Sequence, residues 1–249
     1  MLSEERKKQM LEYVNHRNAV TVQELMQQFS ASEATIRRDL TELNKKGLLV
    51  KVHGGAVALQ NQITTDYNVS EREMVNREEK MNIARYAATL IHPNDLVFLD
   101  AGTTTGYLID YLDYGVCREV IFVTNAIVHA TKLSAGGYTV YLTGGRIKST
   151  TEALVGTECY ACLQQYQFSL GFFGTNAVNR STGFTTPDPE EARIKEMAFR
   201  HTRMPYILCD SGKFDKVSSV RFAEFGQGKV ITTGIIPEEY RLDERIHII

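Results

Sequence analysis

Ser32-Glu33-Ala34-Thr35-Ile36-Arg37-Arg38-Asp39-Leu40-Thr41-Glu42-Leu43-Asn44-Lys45-Lys46-Gly47 is the stretch on which the reading of this chain turns. Ser32 is placed to cap a helix, Ile36, Leu40 and Leu43 recur at i, i+4 and i+7, and Gly47 offers a C-terminal stop. On a wheel of about 100° per residue with Ile36 at the origin, Leu40 falls at about 40° and Leu43 at about 340°. Ala34, Arg38, Thr41 and Lys45 then lie within about 50° of the opposite side, with Arg37 and Thr35 on the flanks. Such a helix suits the major groove, where small residues permit close approach while Arg and Lys meet guanine edges and phosphates. A solvated surface helix carries a similar charge pattern, so the neighbouring sequence decides between them.

Upstream, Thr21-Val22-Gln23-Glu24 is a capping box, and Leu25, Met26 and Phe29 supply the buried face of the helix it starts. Ser3 caps a still earlier helix with Met10, Leu11 and Val14 at helical spacing. Three short helices with tight joints read as a helix-turn-helix. Downstream, Leu48-Leu49-Val50-Lys51-Val52-His53-Gly54-Gly55-Ala56-Val57 is a short apolar run broken by a glycine pair, which suits a β-wing with Lys51 and His53 near the phosphate backbone. The expected DNA-contacting set is therefore Ser32, Ala34, Thr35, Arg37, Arg38, Thr41, Lys45, Lys51 and His53. Val22-Gln23-Glu24-Leu25, Ser32 to Leu40, Leu43, Gly47-Leu48 and His53-Gly54-Gly55-Ala56 resemble the DNA-binding signature of DeoR-type repressors of sugar metabolism. The resemblance implies a winged helix-turn-helix that reads double-stranded operator DNA.

The whole chain, 249 residues with 43% hydrophobic and 23% charged, is long enough for two domains and has an ordinary globular composition. Its net charge of −2 hides an asymmetry: residues 1–58 hold nine Lys and Arg against seven Asp and Glu, while the remainder is acidic. The charged start and the lack of an apolar run of membrane length point to the cytoplasm, with no membrane partner, where Cys117, Cys159, Cys162 and Cys209 are expected as thiols. Cys159-Tyr160-Ala161-Cys162 lacks the second pair that a zinc site needs and falls in a helical stretch, so no metal is expected.

Residues 59–76 are polar and irregular and read as a linker between a head, residues 1–58, and a body, residues 77–249. In the body, apolar runs at Leu96–Leu99, Val120–Val123, Thr139–Leu142, Leu170–Phe173 and Tyr206–Cys209 alternate with helical patterns, which predicts a largely parallel, Rossmann-like α/β sheet. Ligands of such sheets bind at the carboxyl ends of the strands. The residues there are Asp100, Gly102, Thr103, Thr104 and Thr105, then Asn125, then Gly144, Gly145 and Arg146, then Thr175 and Asn176, then Asp210 and Lys213. Hydroxyl, amide and cationic groups on one rim suit a small phosphorylated polyol, with the phosphate expected on Gly102 to Thr105 helped by Arg146 or Lys213, and the hydroxyls on Asp100, Asn125 and Asn176. Neither a P-loop nor a complete G-x-G-x-x-G is present, so no nucleotide cofactor is expected.

This part also resembles the DeoR-type sensor domain, through Leu99-Asp100-Ala101-Gly102-Thr103-Thr104, Val123-Thr124-Asn125, Leu154-Val155-Gly156 and Asp210-Ser211-Gly212-Lys213-Phe214. The resemblance implies a fold related to sugar-phosphate isomerases and a phosphorylated-sugar effector. Gly183 to Ala192 looks like the fructose-operon branch, answering to fructose 1-phosphate. Thr151-Glu152-Ala153 and Asn176-Ala177-Val178 look closer to the lactose-operon branch, answering to tagatose 6-phosphate. The competing reading is an isomerase or deaminase using Lys213, Asp210 and Glu191, the last also expected near the sugar. Repressors of this kind join two half-sites, so a homo-oligomer, dimer or tetramer, assembled through the body is expected.

Overall fold

The computed structural model describes residues 3–17, 19–52, 54–59, 62–63 and 68–249. At the N-terminus α1 (Ser3–Arg17), β1 (Ala19–Thr21), α2 (Val22–Phe29), α3 (Glu33–Lys45), β2 (Leu49–Val52) and β3 (Gly55–Ala58) build a winged helix-turn-helix. Local chemistry sets these bounds. The Glu24 amide donates to Thr21 Oγ1 at 3.1 Å and the Thr21 amide donates to the Glu24 carboxylate at 2.6 Å, the reciprocal box that the sequence predicts. Ser30, at φ 47°, ends α2, and the Ser32 side chain caps α3. Met10, Val14, Leu25, Ile36 and Leu40 are wholly buried together, so the three helices share one core. Beside it Arg6 Nε donates to the buried Asp39 carboxylate at 2.6 Å and ties α1 to α3. The wing sheet runs β1-β3-β2, antiparallel throughout. Only glycine fits at position 55, because a Cβ there would stand 1.8 Å from the Val20 carbonyl oxygen.

Next come β4 (Gln62–Ile63) and α4 (Val69–Met74), and then the body. Its first half contains α5 (Arg77–Ala88), β5 (Leu96–Leu99), α6 (Thr103–Leu108), α7 (Tyr114–Cys117), β6 (Ile121–Thr124), α8 (Ile127–Ala135), β7 (Thr139–Leu142), β8 (Arg146–Lys148), β9 (Ala153–Val155) and α9 (Thr157–Leu163). Its second half contains β10 (Phe168–Gly174), β11 (Ala177–Asn179), β12 (Gly183–Thr186), α10 (Pro189–Arg200), β13 (Thr202–Leu208), β14 (Val217–Ser218), β15 (Val220–Ala223), β16 (Lys229–Thr232), α11 (Glu238–Arg241) and β17 (Ile246–Ile248). Among the described residues seven strands form one sheet in the order β17-β16-β13-β10-β5-β6-β7, every neighbouring pair parallel.

Both faces of this sheet are covered. Along β5, Val97 and Leu99 join the core that holds Ile83 and Ala84 of α5, while Phe98 joins the core that holds Ala198 and Phe199 of α10. Burial on both sides is why the strands read as unbroken apolar runs. The chain runs outward from β5 through β6 to β7 and then returns to the other side of β5 as β10. A crevice opens at the carboxyl ends of strands where the order reverses in this way.

The sheet differs from the sequence reading in three respects. The strands β10 and β13 extend beyond the predicted runs, and β16, β17 and a small antiparallel sheet β11-β12-β15 join five predicted strands. The run Thr139–Leu142 is not buried but is the sheet edge, with Tyr141 52% and Leu142 44% exposed. No helix among the described residues is long and apolar enough to cross a membrane.

Candidate functional site

On the head, α3 presents Ala34, Arg38 and Lys45 to solvent, opposite its buried Ile36, Leu40 and Leu43. Among the described residues Arg38 holds no ion pair, whereas Arg37 Nε is engaged by Glu33 at 2.7 Å. Ser32 and Thr35 are spent on the cap, their hydroxyls 2.9 Å apart. The Thr41 hydroxyl donates to the Arg37 carbonyl and receives Lys51 Nζ at 2.6 Å, so β2 and α3 present one continuous basic edge. His53 lies outside the described residues.

In the body, a cleft lies at the reversal between β5 and β10. The loop after β5 brings Gly102, Thr103 and Thr104 to it, the loop after β10 brings Thr175 and Asn176, α10 brings Glu191, and the loop after β13 brings Asp210 and Lys213. Seven expected effector residues are thus together: Gly102, Thr103, Thr104, Thr175, Asn176, Glu191 and Lys213. Others stand behind the cleft and hold it. The Asp100 carboxylate receives the Gly174 amide at 2.9 Å and is paired with Lys195, both side chains buried. The Thr105 hydroxyl donates to the Asp100 and Gly102 carbonyls, and Asn125 receives the Ala101 amide and donates to the Leu154 carbonyl.

Gly144, Gly145 and Arg146 are not at the cleft. They follow β7, the edge strand, where Gly145 takes φ +120° and a Cβ would meet the Val155 carbonyl oxygen at 2.4 Å, two reasons for a glycine there. The exposed Arg146 guanidinium is engaged by Glu190. Cys159 and Cys162 lie on α9, and the Cys159 thiol donates to the Thr143 hydroxyl; its burial raises its pKa to about 11. No group of His, Cys, Asp and Glu among the described residues is arranged to hold a metal.

Three cations that the sequence reading left out complete the cleft: Arg72 of α4, Lys80 of α5 and Lys195 of α10. Lys80 is 3% exposed and its ammonium donates to the Arg72 carbonyl. Burial pushes its pKa down to about 8, opposed by the nearby Asp210 carboxylate and assisted by Lys213 and Arg72. A signal for two of them was present. Lys80 precedes Ile83, Ala84 and Ala87 by three, four and seven residues, and Lys195 stands three from Ala192 and Ala198 and four from Phe199, so both sit on buried helical stripes.

Glu191 is occupied by Lys148 at 3.1 Å and by the Thr151 hydroxyl, and Lys195 by Asp100. Arg72, Lys80 and Lys213 therefore face the cleft against Asp210, a local surplus of positive charge in a chain that is acidic overall. The arrangement can hold a small anion by charge, with Thr104, Asn176 and Glu191 able to accept or donate hydrogen bonds to hydroxyls.

Comparison with known proteins agrees with both halves. A DeoR-like helix-turn-helix domain matches residues 6–62, and a DeoR C terminal sensor domain matches residues 75–234. The chain is 39% identical over 233 residues to an uncharacterized HTH-type transcriptional regulator, FruR, of Bacillus subtilis, covering 94% of this chain and 92% of that protein. It is 34% identical over 225 residues to a lactose phosphotransferase system repressor of Staphylococcus epidermidis, covering 88% and 87%. Among solved structures a ribose 5-phosphate isomerase A from Methanocaldococcus jannaschii overlaps 56% of this chain and 55% of its own, with a TM-score of 0.42 at 14% identity, too loose a likeness to argue from. With the two matches and the full-length relatives taken together, the chain belongs to the DeoR family of helix-turn-helix transcriptional regulators.

Proposed function

We propose that this protein represses a sugar-utilisation operon in the cytoplasm, binding double-stranded operator DNA through α3 and the wing and leaving it when a phosphorylated sugar enters the cleft. The observation that carries the sensor half is the surplus of Arg72, Lys80 and Lys213 over Asp210 at the strand reversal, which favours a phosphate dianion over a neutral sugar. Fructose 1-phosphate is the first candidate, because the stretch Gly183 to Ala192 that resembles the fructose-operon branch includes Glu191 of the cleft wall. Tagatose 6-phosphate is the second. With Asp100 and Asn125 standing behind the cleft, the sugar hydroxyls fall to residues that line it, Thr104, Asn176 and Glu191. At 100 times its dissociation constant the effector should stabilise the protein by about 2.7 kcal/mol. A thermal-melt series with both sugar phosphates and free fructose tests this; a protein that responds to none of the phosphorylated sugars, or equally to free fructose, overturns it. Recognition rather than turnover is the reading of Asp210, Glu191 and Lys213, since the relatives are named as transcriptional regulators. Conversion of either sugar phosphate by the purified protein would reverse it.

The charge state of Lys80 gives the site a pH signature. Bound phosphate holds the proton on Lys80, so affinity is tied to its charged form. With a pKa of about 8 that form falls about tenfold between pH 7 and pH 9, and affinity is expected to fall with it. Below about pH 6 the ester loses its second charge and affinity declines again. Titration calorimetry across this range reads the bell; a flat response from pH 7 to 9 places the phosphate away from Lys80.

For the head, Arg38→Ala is expected to weaken the specific operator by about 1 to 3 kcal/mol and to relax sequence preference, because Arg38 is exposed and free of ion pairs among the described residues. Lys51→Ala should weaken all sequences alike and reduce the salt slope by about one. Fluorescence anisotropy with operator and scrambled DNA separates the two, and an Arg38→Ala protein with unchanged operator affinity refutes this placement of α3.

Assembly is assigned to the body, where the unpaired edge β7 exposes Tyr141 and Leu142. The full chain should sediment as a dimer or tetramer at micromolar concentration, and Tyr141→Lys with Leu142→Lys should shift it toward monomer. A parent that is already monomeric, or a double variant that assembles as before, removes β7 as the contact.

A further inference from the structure

No residue of α4 is buried, and the helix belongs to neither half of the family match, lying between the head match ending at 62 and the sensor match beginning at 75. Its Arg72 nevertheless places Nε and Nη2 out of reach of solvent, and both nitrogens lack a hydrogen-bond partner among the described residues. Unsatisfied buried donors on a guanidinium are unfavourable and are kept where an acceptor arrives from outside. The side chain lines the effector cleft beside Lys80, Gly102, Thr103 and Lys213. It is the planar, forked cation suited to two oxygens of one phosphate.

The segment that carries Arg72 is fastened to the walls of the same cleft. The Lys80 ammonium donates to the Arg72 carbonyl, the Asn76 side-chain amide donates to Asp210 at 2.7 Å, and the Tyr107 hydroxyl donates to Glu73 at 3.3 Å. Nearer the head, β4 pairs with β14, and the Ser218 hydroxyl donates to the Ile63 carbonyl at 2.5 Å. The loop after β13 therefore carries Lys213 into the cleft and, five residues on, reaches the connecting segment.

Resting on the reading of the cleft as a phosphorylated-sugar site, we infer that Arg72 is a phosphate ligand contributed by the connector between head and body, so that the occupied cleft fixes α4. The bound phosphate accepts from Lys80, whose ammonium has protons for it and for the Arg72 carbonyl, and satisfies the two open nitrogens of Arg72. Its affinity then differs between connectors docked and undocked, the differential contact that a ligand needs to move an equilibrium at a distant DNA-reading face.

The test uses the full-length protein with fructose 1-phosphate and tagatose 6-phosphate as probes and inorganic phosphate as the control for charge alone. Arg72→Gln is expected to weaken the responsive sugar phosphate by about tenfold to a hundredfold, as for a lost charge-assisted hydrogen bond. Arg72→Lys should recover part of the loss. Amide exchange within Val69–Met74 should slow on adding the sugar phosphate to the parent and not to Arg72→Gln. If the parent responds to a sugar phosphate and Arg72→Gln responds equally, or if exchange in α4 ignores the ligand, Arg72 is no ligand while the cleft keeps its function. If the parent responds to neither probe, the reading of the cleft falls and this inference with it.

Discussion

Lys195→Met is expected to lower the stability of the sensor body by about 3 to 5 kcal/mol, the range for leaving a buried charge without its partner. Asp100 is 1% exposed, and its carboxylate has two donors, the Lys195 ammonium and the Gly174 amide. Lys195 also donates to the Gly174 carbonyl at 3.1 Å, so one lysine from α10 joins the end of β5 to the end of β10 across the strand reversal. Methionine keeps most of the volume but leaves the buried carboxylate facing one amide. In a body of this size the change corresponds to a melting temperature lower by roughly 6 to 20 °C. Asp100→Asn added to Lys195→Met removes the orphaned charge and should restore much of the loss, a coupling that melts of the single and double variants without ligand would measure. A Lys195→Met protein that melts within about 2 °C of the parent shows that the pair does not hold the strands together.

How far the sequence could be read follows from the range of the forces involved. The head is set by near neighbours: Thr21 and Glu24 bond each other three residues apart, and Ile36, Leu40 and Leu43 define a stripe within three turns. Its elements are accordingly legible one by one. The cleft is different, because which strand ends meet depends on strand order, a matter of long-range pairing that no local period encodes. The loop after β7 shares the glycine and threonine of the loop after β5 and adds an arginine, and so Gly144, Gly145 and Arg146 read as ligand residues. The fold puts β7 two strands from β5, about 10 Å away across the sheet, and Arg146 turns to Glu190 instead. Asp100 and Asn125 are at the right strand ends but are consumed by the architecture. Lys80 and Lys195 were within reach of a helical wheel, as charges among apolar neighbours, whereas nothing in the polar stretch around Arg72 marks it before the fold brings α4 to the cleft.

Lys80→Met is expected to yield a protein more stable than the parent by about 1 to 3 kcal/mol that sugar phosphate no longer removes from the operator. The stabilisation follows from the protonation balance. In the unfolded chain Lys80 keeps its proton to the ordinary value of 10.5, whereas burial in the fold lowers its pKa to about 8. Below pH 8 both states are charged and the full penalty for burying the cation stands. Between about pH 8 and 10.5 the unfolded chain holds a proton that the fold has released, so the parent gains stability as pH rises. The difference of about 2.5 units sets a ceiling of about 3 kcal/mol, reduced by the lost bond to the Arg72 carbonyl. Methionine removes the penalty at pH 7 and the rise above pH 8 together. The loss of response follows from the same charge, since a phosphate in the cleft is what makes a buried ammonium favourable, and a charge-assisted bond is worth about 1.5 to 3 kcal/mol, or roughly tenfold to a hundredfold in affinity. Thermal melts at pH 7 and 9, with operator release measured at a fixed sugar-phosphate concentration, read both effects. A Lys80→Met protein that is less stable than the parent at pH 7 and still leaves the operator on addition of sugar phosphate would mean that Lys80 serves only to hold α4 in place.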